Sequence, residues 1–220
     1  MASKDWEAVD DYFEDLLISA DPVLETALQD SDAAGLPPHH VTPNQGKLLH
    51  LLIQIQGARR VLEIGTLGGY STIWLARALP TDGYLVTLEA NPHHAEVARS
   101  NLARANLLDT VDLRVGNALN LLPDLQPAAP FDFIFIDADK PNNPHYLAWA
   151  LQLSGPGTVI IGDNVVRDGE VANAHSSDPK VQGVRTFCEL LAAPPQVSAT
   201  AIQTVGSKGY DGFAIARVTH

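Results

Sequence analysis

The sequence predicts an α/β protein: a doubly wound, mostly parallel seven-stranded sheet with an antiparallel C-terminal hairpin, preceded by a helical extension. Three observations carry this. Short apolar runs rich in Val, Ile and Phe alternate with stretches of helical period, the order of repeated βα units. The first run, Val61, Leu62 and Ile64, passes at once into Gly65, Gly68 and Gly69 and then into a helix opening at Ser71. The last two runs, residues 198–203 and 213–218, have no helix between them. They are joined through Gly206, Gly209 and Gly212, the pattern of a hairpin with a long turn.

The elements follow in order. Val9, Tyr12, Phe13, Leu16 and Leu17 recur at helical spacing, and Val23, Leu24, Ala27 and Leu28 repeat the pattern after Pro22. Asp21 reads as a cap with proline at the first helical position. Residues 1–35 are therefore a helical extension that must pack on the domain, on a second subunit or across the site. A proline loop leads to Thr42, Pro43 and Gln45, a capping box for a helix running to Gly57. Strands are expected at residues 84–89, 111–115, 131–136 and 158–162, with helices at 91–106, 118–125, 144–153 and 181–192. Residues 36–220 make one core, so the whole chain is a single domain.

Composition narrows the function classes. Lys and Arg total 14 against 26 Asp and Glu, a net charge of −12, and no basic stretch appears. That argues against nucleic acid and anionic membranes as partners. No window reaches the roughly 18 apolar residues of a membrane span, and the acidic start is not a secretory signal. Cys188 is the only cysteine, so an internal disulfide is excluded and a reducing, cytoplasmic setting is expected. Within its helix it reads as a small buried hydrophobe.

The stretch from Arg60 to Ala76, RVLEIGTLGGYSTIWLA, organises the rest. A buried strand, a glycine turn and a helix start make a nucleotide-type site, where backbone can approach a ligand. The dinucleotide fingerprint is G-x-G-x-x-G. Here the order is G-x-x-G-G, and the strand carries an acid, Glu63, which suits a ligand bearing a cation better than one bearing two phosphates. S-adenosylmethionine is such a ligand. Glu89 ends the second strand about 20 residues on, the distance at which an acid accepts from ribose hydroxyls. Gly116, Asn117 and Ala118 follow the third strand, where backbone and a small side chain would meet the adenine.

Strand four ends in Asp137 and strand five in Asp163-Asn164, so neighbouring strands deliver three oxygen donors to one edge. Acids gathered there repel one another unless compensated. A divalent cation resolves the conflict, and an all-oxygen set favours Mg²⁺, or Mn²⁺ or Ca²⁺, over zinc. The competing reading is that each acid caps the next helix. Lys140 lies in the same turn as Asp137 and reads equally as a general base or as the salt-bridge partner of Asp139. His39 and His175 read as solvated loop residues or as site-mouth groups. The polar segment 165–182 borders the acceptor side. Trp74 and Trp149 read as core residues, and Trp6 in the extension as a residue packing at a dimer contact.

Together, VLEIGTLGGYS, Glu89, FIDADK and Gly162-Asp163-Asn164 resemble the cation-dependent class I O-methyltransferases, the family of the caffeoyl-CoA and catechol enzymes and many bacterial relatives. The resemblance runs from about Val41 to the C-terminus in one register. It implies a Rossmann-like catalytic domain that moves a methyl group from S-adenosylmethionine to a hydroxyl of a small phenolic, catechol-like acceptor. It implies metal ligands at Asp137, Asp163 and Asn164, and Lys140 as base. Donor contacts are implied at Val41, Glu63, Gly65, Gly69, Ser71, Glu89, Ala118 and Asp137. Relatives of this kind are often homodimers. Many carry methionine where His39 stands. The catechol enzyme also holds its acceptor with an acid late in the chain, for which residues 206–211 show no secure counterpart.

Two other readings compete. An NAD-dependent oxidoreductase is disfavoured by the glycine order and by the lack of a Tyr-Lys pair suited to hydride transfer. A non-catalytic donor- or metal-binding protein is disfavoured by the presence of Lys140 beside a full ligand set.

Overall fold

A computed structural model describes residues 2–193 and 197–219. Its strands are β1 (Arg60–Ile64), β2 (Tyr84–Glu89), β3 (Val111–Val115), β4 (Phe131–Ile136), β5 (Ser154–Asp163), β6 (Val197–Gly206) and β7 (Gly209–Val218). They form one seven-stranded sheet in the order β3-β2-β1-β4-β5-β7-β6. The pairs β1–β2, β2–β3 and β4–β5 are parallel, and β7 runs antiparallel to both β5 and β6. The chain divides into two compact units, Asp10–Leu121 and Leu122–His220, the second also taking the first turns of the N-terminal helix.

In the first unit, β1 and β2 are apolar on both faces, as a parallel sheet covered by helices demands. Val61, Leu62, Ile64 and Leu85 have no exposed surface. The helices are α1 (Ala2–Leu17, shared with the second unit), α2 (Pro22–Ala33), α3 (Pro43–Gln56), α4 (Tyr70–Ala76), α5 (Pro92–Arg104) and α6 (Ala118–Leu121). The expected caps form. Asp21 Oδ1 accepts from the N–H groups of Val23 at 3.0 Å and Leu24 at 3.2 Å, and Thr42 Oγ1 accepts from Gln45 N–H at 3.2 Å. The other Asp21 oxygen accepts from Arg77, just past the end of α4, so this one cap also ties α2 to α4. Trp74 is buried as expected and lies against Gly46 of α3, where a Cβ would overlap the indole. On α1, Tyr12, Phe13, Leu16 and Leu17 stand exposed, although Asn44 reaches the Asp10 carbonyl at 3.4 Å.

The second unit adds α7 (Asn143–Gln152) and α8 (Pro179–Ala192) to β4–β7. Phe131, Phe133 and Phe135 alternate with Ile134 and Ile136 along β4, and all five are fully buried. Trp149 is only half-buried on α7, and Cys188 is half-buried on α8, both less enclosed than expected. Strand β5 begins earlier than its apolar run suggests. A register shift lets Ser154 pair with Phe131 before Val159 pairs with Phe133. The hairpin is tighter than expected, because Gly206 pairs directly with Gly209. Gly212 belongs to the strand: a Cβ there would overlap the Ile202 carbonyl. Its glycine answers close packing, not a turn.

Burial opposes ionisation of Asp21, but the Arg77 guanidinium and the Leu24 and Val23 N–H groups together hold its carboxyl below the usual value. The stabilisation is therefore complete above that usual value and fades as the carboxyl protonates at lower pH. Asp21→Ala is expected to lower stability by about 1 kcal/mol at pH 7 in denaturant melts. The difference from wild type should shrink as pH falls below about 4.

Candidate active site

Polar residues gather at the carboxyl ends of buried strands in each unit, where ligands of open α/β sheets bind. In the first unit the group is built around Glu63. Its side chain has no exposed surface, and its oxygens accept from Ser71 Oγ at 2.6 Å, Thr72 Oγ1 at 2.5 Å and Thr87 Oγ1 at 2.7 Å. Glu63 is thus held by protein hydroxyls at the start of the glycine turn. A buried carboxylate must be satisfied internally, and Glu63 does this by lacing β1, β2 and the start of α4 around the glycine turn. Ser71 spends its hydroxyl on the same bond.

Glu89 plays a matching part from β2. Oε2 accepts from the N–H groups of Thr66 at 3.2 Å and Leu67 at 2.7 Å, and Oε1 accepts from Asn91 N–H at 2.9 Å. It retains slight exposure, unlike Glu63. The turn it holds is bent sharply: Gly65, Leu67 and Gly69 have φ of 104°, 51° and 82°. Val41 and Ala118 are buried small groups, the first with its carbonyl 3.0 Å from His40 Nδ1. His39 is exposed. Thr66, Thr72 and Thr87 were not singled out from the sequence. Threonines in a strand and a helix start carry no pattern that distinguishes them.

In the second unit the ladder between β4 and β5 ends with Ile136 opposite Gly162, and the next residue of each chain is Asp137 and Asp163. Asp163 is buried and pairs across to Phe213 of β7. Lys140 is buried, and its Nζ donates to Asp137 Oδ1 at 2.8 Å. Of the two partners open to this lysine, the structure selects Asp137. Asp139 is engaged elsewhere, accepting from Tyr146 Oη at 2.5 Å and Asn142 Nδ2 at 2.6 Å. Burial, reinforced by the Asp139 carboxylate, pushes the Tyr146 hydroxyl well above its usual range, so it stays a donor. Lys208, in the β6–β7 turn, also feels Asp137. Burial pulls its ammonium pKa down and Asp137 opposes the shift.

Two glycines let α8 press this group into place. A Cβ at Gly162 would come 2.5 Å from Phe187 Cζ, and one at Gly183 would overlap the Lys140 carbonyl oxygen. The chain then leaves β5 through strained backbone. Asn164, Arg167 and Asp168 each have φ of 55°. A non-glycine residue in that region costs about 1–2 kcal/mol, so the surroundings must hold it there. Among the described residues, no cluster of three or more His, Cys, Asp and Glu is arranged to hold a metal. The set expected from the sequence has two carboxylates and one amide.

Residues 18–217 match the O-methyltransferase family. The chain belongs to that family. It is an S-adenosylmethionine-dependent O-methyltransferase, and the oxidoreductase reading falls. It is 51% identical over 220 residues to a catechol O-methyltransferase of Niastella koreensis, covering 99% of this chain and 100% of that one. A catechol O-methyltransferase of Mycobacterium tuberculosis is 52% identical, over 96% of this chain and 94% of its own. Among solved structures, the Bacillus cereus O-methyltransferase in complex with SAH superposes with a TM-score of 0.97 at 63% identity, covering 98% and 99% of the two chains. The Streptomyces achromogenes O-methyltransferase TomG, solved with SAM, gives 0.97 at 53% identity over the whole of both chains.

The methyltransferase thus holds its lysine turn by backbone packing at Gly183. Gly183→Ala is expected to displace Lys140 and, with Lys140 as the base that the resemblance implies, to lower kcat at least about 10-fold. Steady-state kinetics beside a titration with S-adenosylhomocysteine checks it, and donor affinity should stay within about 3-fold of wild type.

Proposed function

We propose that this enzyme methylates one hydroxyl of a small catechol-like acceptor, with a divalent cation held by Asp137, Asp163 and Asn164 and with Lys140 as the general base. The observation that carries the reading is the buried Lys140–Asp137 pair at the end of β4, with Asp163 next to it in register on β5. The names of the Niastella and Mycobacterium relatives support the acceptor class. The donor set fits a hard cation: two carboxylates and an amide oxygen suit Mg²⁺, or Mn²⁺ or Ca²⁺, and no cysteine or histidine competes.

The donor is held by the turn that Glu63 and Glu89 brace, with contacts at Val41, Gly65, Gly69, Glu89, Ala118 and Asp137. Glu63 and Ser71 contribute by fixing the shape of that turn. Methyl transfer needs sulfur, carbon and acceptor oxygen in line, so most of the catalysis is positioning. A bound cation would lower the pKa of the acceptor hydroxyls it touches. Lys140 first gives one proton to solvent; its neutral Nζ then takes the departing hydroxyl proton, and Asp137 holds the resulting ammonium through the 2.8 Å bond. Segment 165–182 borders the acceptor. The apolar residues left exposed on α1, together with Leu51 and Ile55 of α3, support a homodimer. The single cysteine supports a cytoplasmic setting.

Labelled S-adenosylmethionine with a panel of catechols should give transfer in Mg²⁺ and none in excess EDTA. Full transfer in the chelator would overturn the metal role, and donor binding without transfer to any catechol would overturn the acceptor class. Lys140→Met should lower kcat by about 100-fold or more at pH 7, the usual weight of a general base. A loss under 3-fold would remove the lysine from the chemistry.

A further inference from the structure

The segment after Asp163 is held in an unusual way. Asn164 turns through the left-handed region, and the next three N–H groups are caught in succession by β7. Val165 N–H donates to the Gly212 carbonyl at 3.0 Å. Val166 and Arg167 N–H both donate to Asp211 Oδ1, at 2.9 and 3.0 Å. The second Asp211 oxygen faces Arg167 Nη1 at 3.8 Å. Further along, Arg185 of α8 donates to the Val171 carbonyl at 2.6 Å. Val165 and Val166 are buried, so packing and hydrogen bonds act together at the start of the segment. A cavity of about 270 Å³ lies under the segment, lined by Val165, Val166, Gly169, Val171, Cys188 and Tyr210 among others. Hydrogen bonds to β7 and α8 add to that hold.

We infer that Asp211 is a positioning residue for the metal site: its carboxylate pins Val166 and Arg167 and so keeps Asn164 in the left-handed turn that presents its amide beside Asp163. This rests on the reading of Asp137, Asp163 and Asn164 as metal ligands. Partners that orient ligands without touching the metal typically carry 10- to 100-fold in metal affinity. Left-handed backbone persists only where the surroundings over-determine it. Without Oδ1, two backbone donors lose their acceptor and the strained residues Asn164, Arg167 and Asp168 relax toward ordinary conformations. The sequence pointed to this neighbourhood only as the place where an acceptor-holding acid was missing. Asp211 is the acid there, and it is turned to the loop.

The test is Mn²⁺ affinity of the full chain, read by the electron paramagnetic resonance signal of free ion, with S-adenosylhomocysteine affinity measured alongside. Asp211→Ala is expected to weaken Mn²⁺ binding by about 10-fold or more while leaving donor affinity within about 3-fold. Asp211→Asn keeps an acceptor oxygen in nearly the same shape and is expected to stay within about 3-fold of wild type for Mn²⁺. It also serves if the alanine variant does not fold. Unchanged Mn²⁺ affinity in Asp211→Ala overturns the inference, as does equal loss in Asp211→Asn, or a parallel loss of metal and donor. A wild-type chain that binds no Mn²⁺ overturns the metal reading first, and this inference with it.

Discussion

Acids placed at the ends of buried strands set the terms for this molecule. A carboxylate that loses water must regain the same hydrogen bonds from the protein, or it will not stay charged. Glu63 is satisfied by three hydroxyls, Glu89 by three backbone N–H groups and the half-buried Asp211 by two. Each solution ties together segments far apart in sequence. The carboxylates thus act as fasteners for turns that no apolar packing would shape, and the donor turn and the lysine turn inherit their form from them.

The same logic separates acids closed off by protein donors from acids that stay partly open. Glu63 has spent its oxygens on protein donors, and its environment leaves no surface for a ligand. Asp137 instead accepts from the Lys140 side chain, in a turn pressed against α8 at Gly183. Backbone-to-backbone contact of that kind is stiff, because a carbonyl cannot swing aside as a side chain can. The geometry of the lysine turn is then set by the absence of one methyl group on a neighbouring helix. Gly162 works alike under Phe187, immediately before Asp163. These glycines are packing residues, in contrast to Gly65 and Gly69, whose positive φ shapes the donor turn.

Much of this was legible in the chain. The βα order, the caps at Asp21 and Thr42, and the acids closing β2, β4 and β5 are local patterns, read from period and from residues adjacent in sequence. The misreadings were non-local. Gly212 was taken for turn glycine because its neighbours include Gly206 and Gly209, while its reason is the Ile202 carbonyl ten residues back. The protein partners of Glu63 were likewise illegible, because nothing in the sequence shows that Ser71, Thr72 and Thr87 converge on it.

By itself, then, the sequence determined the fold, the family and the roster of oxygen donors at the strand ends, since these follow from short-range pattern and motif. Only the tertiary structure decided how each donor is used. That depends on which hydroxyls, N–H groups and cations from distant segments come within hydrogen-bond reach. Asp211 shows the difference most plainly: an unremarkable acid near a hairpin turn, 44 residues from Arg167 in the chain, whose oxygen lies 3.0 Å from that residue's backbone nitrogen.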